Sequence, residues 1–443
     1  MGKLLAAAAK RSILPGGNLM RRISEEDPVL NYFDGAYEDI FTRVMVLSDG
    51  EKNIALITAD LNRYPAQQIL CDRISEKFHI DPMGCIIGSI RNHQAPCGNV
   101  PEENPPLCRR IAKEALNEYT KLVHDATEAA LEDAFAALRP AKIGTVTTKS
   151  YINSNIEWPT PAGILKGNNY SGFSDKDMLV MRVADMEDKT IGLFVNYAVH
   201  STMFAQNTEQ RNLTKIGGDV VGAITRFLEK AGHEEFPVIY MSADGGDQEL
   251  IVYDEVVYCD VKDDGTIYSV KETLPLDAAW MMLKLLSSQQ AVDILNAIDQ
   301  IEEYTDDLDF FGAETHRTVA SQMAYDVLKV APKMGEETEA VEFSRPLDFR
   351  LRLAVLNGVG ILGYNAEITS RLGAKLRQLV PFENTALVAT CYGHEGCVTD
   401  TENEKLNGKV KVHSFCRSAQ ESENAFLSGF GELVAAYENR KNK

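Results

Sequence analysis

The stretch that most limits what this chain can fold into is Ile-Gly-Leu-Phe-Val-Asn-Tyr-Ala-Val-His-Ser-Thr at residues 191–202. Its first five residues are an unbroken apolar run with high β-propensity, the length of a strand buried on both faces. Such a strand needs a covering layer on each side, which asks for a sheet flanked by helices. Asn196, Tyr197 and His200 follow where the strand should stop. In α/β sheets the carboxyl ends of strands are where ligands and reactive groups collect. A lone histidine there is more often a hydrogen-bonded core residue than a functional one, so the other strand ends decide its meaning.

The pattern recurs. Apolar runs at 42–47 and 54–59 flank Ser48-Asp49-Gly50, a hairpin signal, and the second ends in Asp60. The run at 84–90 ends in Arg91-Asn92-His93, and that at 238–241 in Ser242-Ala243-Asp244-Gly245-Gly246-Asp247. Residues 358–363 lead to Tyr364-Asn365-Ala366-Glu367, and 386–390 to Cys391-Tyr392-Gly393-His394-Glu395-Gly396-Cys397. Helical spacing over 65–78, 108–138, 218–230, 275–301, 368–379 and 420–437 supplies the covering layers. Residues 1–50 read as short strands and turns, opening with a strand near 4–10, and 347–353 alternates like a half-buried strand. The acidic stretch 253–271 reads equally as a loop or a hairpin. Without a tandem repeat or a low-complexity linker, the expectation is one α/β domain over 1–443, mixed β-sheets flanked by helices.

Of the 443 residues, 44% are hydrophobic and 25% charged, an ordinary globular balance. A formal charge of −20 argues against nucleic acid or an anionic membrane surface as partner. No apolar run is long enough for a transmembrane helix. The N-terminal Leu-Leu-Ala-Ala-Ala-Ala run falls short of the roughly seven to fifteen apolar residues of a secretory leader. It reads as a first strand, which makes the protein cytoplasmic with a small-molecule substrate. Eight cysteines, scattered without a C-x-x-C pair, read as free thiols, with Cys97 and Cys397 in glycine-rich loops as the two to watch.

Several strand ends carry groups capable of chemistry: Asp60, His93, His200, Asp244 with Asp247, Glu367, and the loop of His394, Glu395 and Cys397. Two histidines and a carboxylate with an open position form the ligand set of a hydrolytic zinc site. Non-haem iron takes the same ligands, so residue types alone leave the metal open. Asp60 is expected to orient a neighbouring histidine. His79, His124, His233, His316 and His413, on helices or loops, read as structural. H-E-x-x-H, G-x-S-x-G and P-loop patterns do not occur.

Taken in order, these segments resemble the catalytic domain of the neutral/alkaline ceramidase family, zinc-dependent amidases that cleave the amide of N-acyl sphingosine. Residues 6–15, Ala-Ala-Ala-Ala-Lys-Arg-Ser-Ile-Leu-Pro, are similar to the family's opening A-x-x-K-x-D-I-T-P. Residues 34–47 resemble its D-x-L-x-A-R-A-L-V-L region, and Ser89-Ile-Arg-Asn-His-Gln-Ala-Pro96 its A-T-H-T-H-S-G-P motif. Asn196-Tyr-Ala-Val-His-Ser-Thr resembles N-x-A-x-H-x-T, Asp219-Val-Val-Gly222 resembles D-Y-P-G, and Asp244-Gly-Gly-Asp247 resembles G-A-A-G-D. Asn365-Ala-Glu-Ile-Thr-Ser-Arg-Leu-Gly373 is similar to P-G-E-x-x-x-x-x-G. The resemblance runs over about residues 4–435 and implies the catalytic domain without the family's C-terminal immunoglobulin-like domain.

By that resemblance, zinc would be held by His200, Glu367 and a third ligand from His93 or Cys397, with a bound water attacking an amide or ester carbonyl. Arg91 or His93 would stabilise the oxyanion, and Asp247 would be a further catalytic residue. Two departures bear on this. The first histidine of H-T-H falls on Arg91, which has no lone pair for a metal. The loop that carries the family's catalytic serine reads Ala243-Asp-Gly-Gly-Asp-Gln. The expected activity is hydrolysis of a substrate other than ceramide. The alternatives are a metal-free relative that binds or regulates through a small molecule, and a thiol hydrolase using Cys97 or Cys397.

Overall fold

The computed structural model describes residues 2–26, 33–98, 114–160, 163–204, 215–231, 236–252, 255–320, 346–407 and 418–441. Its centre is an eight-stranded mixed sheet in the order Val238–Ser242, Thr190–Tyr197, Asp177–Asp185, Arg139–Lys149, Leu5–Ser12, Phe41–Ser48, Asn53–Ala59, Ile80–Ser89. The outer pairs, Thr190–Tyr197 with Val238–Ser242 and Asn53–Ala59 with Ile80–Ser89, are parallel; the rest are antiparallel.

Alternate residues of one strand feed different cores, as two apolar faces require. Phe194 joins a cluster with Met45, Ile57 and Leu131, whereas Leu193, Val195 and Tyr197 join one with Ile224 and Leu286. The sheet doubles over, so its two ends meet: Thr58 Oγ1 donates to the Tyr240 carbonyl at 2.6 Å, and a Cβ on Gly88 would lie 2.8 Å from Met241 Sδ.

A second sheet, Phe310–Val319, Leu347–Leu356, Val359–Tyr364 and Thr385–Val388, packs against the helices Ser370–Leu379 and Ala419–Lys441 around a third core. Asn196 joins the two sheets. Its amide donates to the Met241 and Leu387 carbonyls at 2.8 and 2.7 Å and accepts from Leu387 N at 2.9 Å. The polar residue at the end of the opening strand is therefore a joint.

Three elements depart from the expectations or go beyond them. Residues 17–26 form a helix rather than turns, with Leu19, Met20 and Ile23 buried on one face. The acidic stretch is a hairpin, Glu255–Val261 with Ile267–Thr273. Phe310–Val319, whose charged and half-exposed residues hide its period, is the edge strand paired with Leu347–Leu356. Among the described residues no helix is long and apolar enough to cross a membrane. Cys71, Cys85, Cys97, Cys391 and Cys397 are free thiols; Cys108 and Cys416 lie outside the described residues.

Candidate active site

Arg91 follows the strand Ile80–Ser89 in the left-handed conformation, φ +54°, which costs a non-glycine residue roughly 1–2 kcal/mol. Three backbone bonds hold the turn: Asn92 N to Leu61 O (3.1 Å), Ser201 N to Arg91 O (3.1 Å) and His93 N to Ser201 O (3.2 Å). The segment carrying Arg91 and His93 is thereby laid beside the one carrying His200, and their imidazole rings stand 5.7 Å apart.

His200 Nδ1 lies 3.1 Å from the Gln248 carbonyl, which can only accept, so this nitrogen carries a proton and Nε2 faces inward. That is the arrangement by which a carbonyl orients a histidine toward a metal. Here the group it meets is Arg91: Nη2 lies 3.3 Å from His200 Nε2 and 2.5 Å from Glu367 Oε1. Arg91 Nη1 donates to the Asn62 carbonyl at 3.1 Å. Glu367 Oε2 lies 3.3 Å from His200 Nε2, and His394 Nε2 donates to Glu367 Oε1 at 2.6 Å.

Close backbone packing makes this possible. A Cβ on Gly245 would stand 3.2 Å from the His200 ring, and one on Gly246 would stand 2.8 Å from Ile368 O. The two glycines therefore serve approach.

The charges follow. Burial would raise the Glu367 carboxyl, but Arg91, His200 and His394 outweigh it and hold it well below the ordinary carboxylate value. Burial lowers Arg91, helped by Arg63 and opposed by Glu367; a guanidinium stays charged regardless. Burial, then His200 and Arg91, push His93 well below its usual value, so it is neutral at pH 7. Burial and Arg63 bring His394 down to about 4 against the pull of Glu367.

Zinc does not fit these residues. Of the expected ligands, His200 and Glu367 lie 3.3 Å apart, and the Arg91 guanidinium, a cation with no lone pair, contacts both where a metal would have to meet them. Among the described residues no group of three or more His, Cys, Asp and Glu side chains is placed to hold a metal ion.

The structure thus brings Arg91, His93, His200 and Glu367 together. Cys397 is half-buried and sits opposite Glu367 in a short parallel pair. Asp247 belongs to a different cluster. Its carboxylate accepts from Ser370 N (2.7 Å), Ser370 Oγ (2.8 Å) and Asn155 Nδ2 (3.0 Å), anchoring the start of the helix Ser370–Leu379. Asp60 orients no histidine: it accepts from Arg43 Nη1 at 2.6 Å and Phe41 N at 2.9 Å. Two residues gain importance. His394, given little weight in sequence, touches Glu367. Arg63, three residues beyond the strand-end Asp60, is reached by the same strand-end logic.

The sequence matches no family model and no curated relative. Solved structures do match. One is a neutral ceramidase from Pseudomonas aeruginosa, with a TM-score of 0.72 and 13% identity over 99% of this chain and 75% of that one. Another is a ceramidase complexed with C2, with a TM-score of 0.71 and 12% identity over 99% and 76%. The chain has the fold of these ceramidases, and among its described residues there is no immunoglobulin-like sandwich.

Proposed function

We propose that this chain is a hydrolase of a small-molecule amide or ester, built on the ceramidase fold and working without a metal ion. The observation that carries the reading is the Arg91 guanidinium in contact with both His200 Nε2 and Glu367. A fixed cation there supplies the electrostatic part of acyl transfer, stabilising negative charge as it develops on the carbonyl oxygen. His93 is neutral and its Nε2 has no hydrogen-bond partner among the described residues, so it is available to accept a proton.

The water oxygen attacks the carbonyl carbon while its proton passes to His93 Nε2. The Arg91 N–H groups hold the oxyanion. Collapse breaks the C–N or C–O bond, and His93 returns the proton to the leaving atom. His200 and Glu367 act through Arg91: they fix its guanidinium plane. The reading takes residues 1–443 as one catalytic unit acting in the cytoplasm on a soluble substrate, in keeping with the charge of −20.

One observation favours a second reading, a metal-free binding protein. Gly245 and Gly246 pack against the His200 ring and the Glu367–Ile368 backbone, so these two positions offer no side-chain nucleophile. Hydrolysis of short N-acyl amides and esters, with and without a chelator, separates these readings. Turnover that survives chelation and falls about 100-fold in Arg91→Lys is the expected result. Turnover lost to the chelator and restored by zinc would overturn the metal-free mechanism. Tight binding of the same compounds without turnover would select the binding protein.

A further inference from the structure

Around Glu367, four buried nitrogens have no hydrogen-bond partner among the described residues: Arg63 Nε, Arg91 Nε, His93 Nε2 and His394 Nδ1. Buried polar atoms are nearly always satisfied, and a group of orphans in one place marks where a missing partner belongs. Three of the four have a neighbour that accounts for their side chain's position. Arg91 is held by Glu367 and Asn62, His394 by Glu367, and the His93 ring lies beside His200.

Arg63 is different. Its guanidinium makes no ion pair or hydrogen bond to any described residue. Yet its position is set by the site, because it directly follows Asn62, whose carbonyl accepts from both Arg91 Nη1 (3.1 Å) and Ser89 Oγ (2.8 Å).

The charges point the same way. Arg63 and Arg91 are permanent cations, while Glu367 is the carboxylate that touches the centre. The charge on Arg63 depresses Arg91, His93 and His394 alike. An unmatched guanidinium at the edge of a buried centre suits an oxyanion, which it can meet with two parallel N–H donors.

We propose that Arg63 is the receptor for an anionic group, a carboxylate or a phosphate, on the small molecule whose acyl bond lies at Arg91 and His93. This rests on the acyl-hydrolase reading for the location of the site, and adds the substrate class: an acylated acid rather than a neutral lipid amide. Arg63 is a specificity residue here; the bond-breaking groups are others.

The test is calorimetric titration of the full chain with N-acetylglycine, its uncharged counterpart N-acetylglycinamide, and inorganic phosphate, in parent protein and in Arg63→Gln. The expected result is that N-acetylglycine binds at least about tenfold more tightly than the amide, with phosphate competing. Arg63→Gln should abolish that preference, bringing N-acetylglycine to the affinity of N-acetylglycinamide. Competition by phosphate that exceeds that of the carboxylate would identify a phosphorylated substrate, also through Arg63. Equal affinity for acid and amide in the parent protein, or a preference that survives Arg63→Gln, overturns the role of Arg63 and leaves the acyl-hydrolase reading intact. Failure of all three compounds to bind overturns the receptor role, and the hydrolase reading then stands or falls on its chelation experiment. Circular dichroism of Arg63→Gln checks that the variant is folded.

Discussion

Two buried arginines in this protein have opposite surroundings. Arg43 is saturated: Nε meets Glu229 at 2.5 Å, Nη1 meets Asp60 at 2.6 Å, Nη2 meets Thr225 at 3.1 Å, and Lys10 shares Glu229 at 2.6 Å. Two cations face two carboxylates, and although burial would lower Arg43, Asp60 and Glu229 hold it above its ordinary value. Arg91 has a single carboxylate, a histidine ring nitrogen and a backbone carbonyl, with Nε unpartnered, and it is lowered. A closed ion network fixes the sheet to the helix Asp219–Lys230; an incomplete one has capacity left for a ligand. The difference lies in what the partners leave unsatisfied, since the residue type is the same and both are buried.

Removing each arginine should break that symmetry. Arg43→Met strands Asp60 and Glu229 and should cost about 3–5 kcal/mol of folding stability by chemical denaturation. Arg91→Met should cost less, about 1–2 kcal/mol, because Glu367 keeps its hydrogen bond from His394 Nε2 when the arginine is gone. Equal losses would show that the Arg91 site is as purely structural as the other.

The second test turns the incomplete site into a metal site. Arg91→His places an imidazole beside His93, His200 and Glu367, and should make thermal stability depend on zinc. The gain should be roughly 2–3 kcal/mol at zinc a hundredfold above the dissociation constant. The parent protein should show no such shift, and zinc stabilising both alike would contradict displacement of the metal by Arg91.

The smallest effect concerns two buried acids, Glu157 and Asp247. Burial and then Asp247 push Glu157 up to about 8, and burial pushes Asp247 up to about 7 against its bonds from Ser370. A carboxyl whose folded pKa exceeds its unfolded value binds its proton more tightly when folded. Its contribution is complete below the unfolded pKa of about 4–4.5 and is lost as pH rises to the folded value. Glu157→Gln should therefore flatten the decline in stability between pH 4.5 and pH 8 by on the order of 1–3 kcal/mol. An unchanged slope would mean that Glu157 ionises freely.

Much of the architecture was legible along the chain. The runs at 42–47, 54–59, 84–90 and 238–241 lie within observed strands or overrun them by one residue, because a strand covered on both faces must be apolar throughout. Edge strands escape this logic, which is why Phe310–Val319 stayed hidden. The candidate site was legible in part. Strand-end position singled out His93, His200 and Glu367, whereas Asp247, equally a strand-end acid, turned out to hold Ser370. Asn196 holds Leu387, and His394 reaches Glu367 only because its loop is pinned by Gln67, which accepts from Tyr392 N at 2.5 Å and donates to Thr390 O at 2.7 Å.

What the residues alone determined is the supply: buried strands, polar ends, and an arginine two places before His93. Which ends meet was decided by the tertiary structure. Periodicity and side-chain chemistry are local, whereas the meeting of Arg91 with Glu367 depends on distant contacts, from the Asn92–Ser201 bridge to the Glu367–Cys397 pair. Those contacts bring a guanidinium against both a histidine and a carboxylate, and the site is built around arginine for that reason.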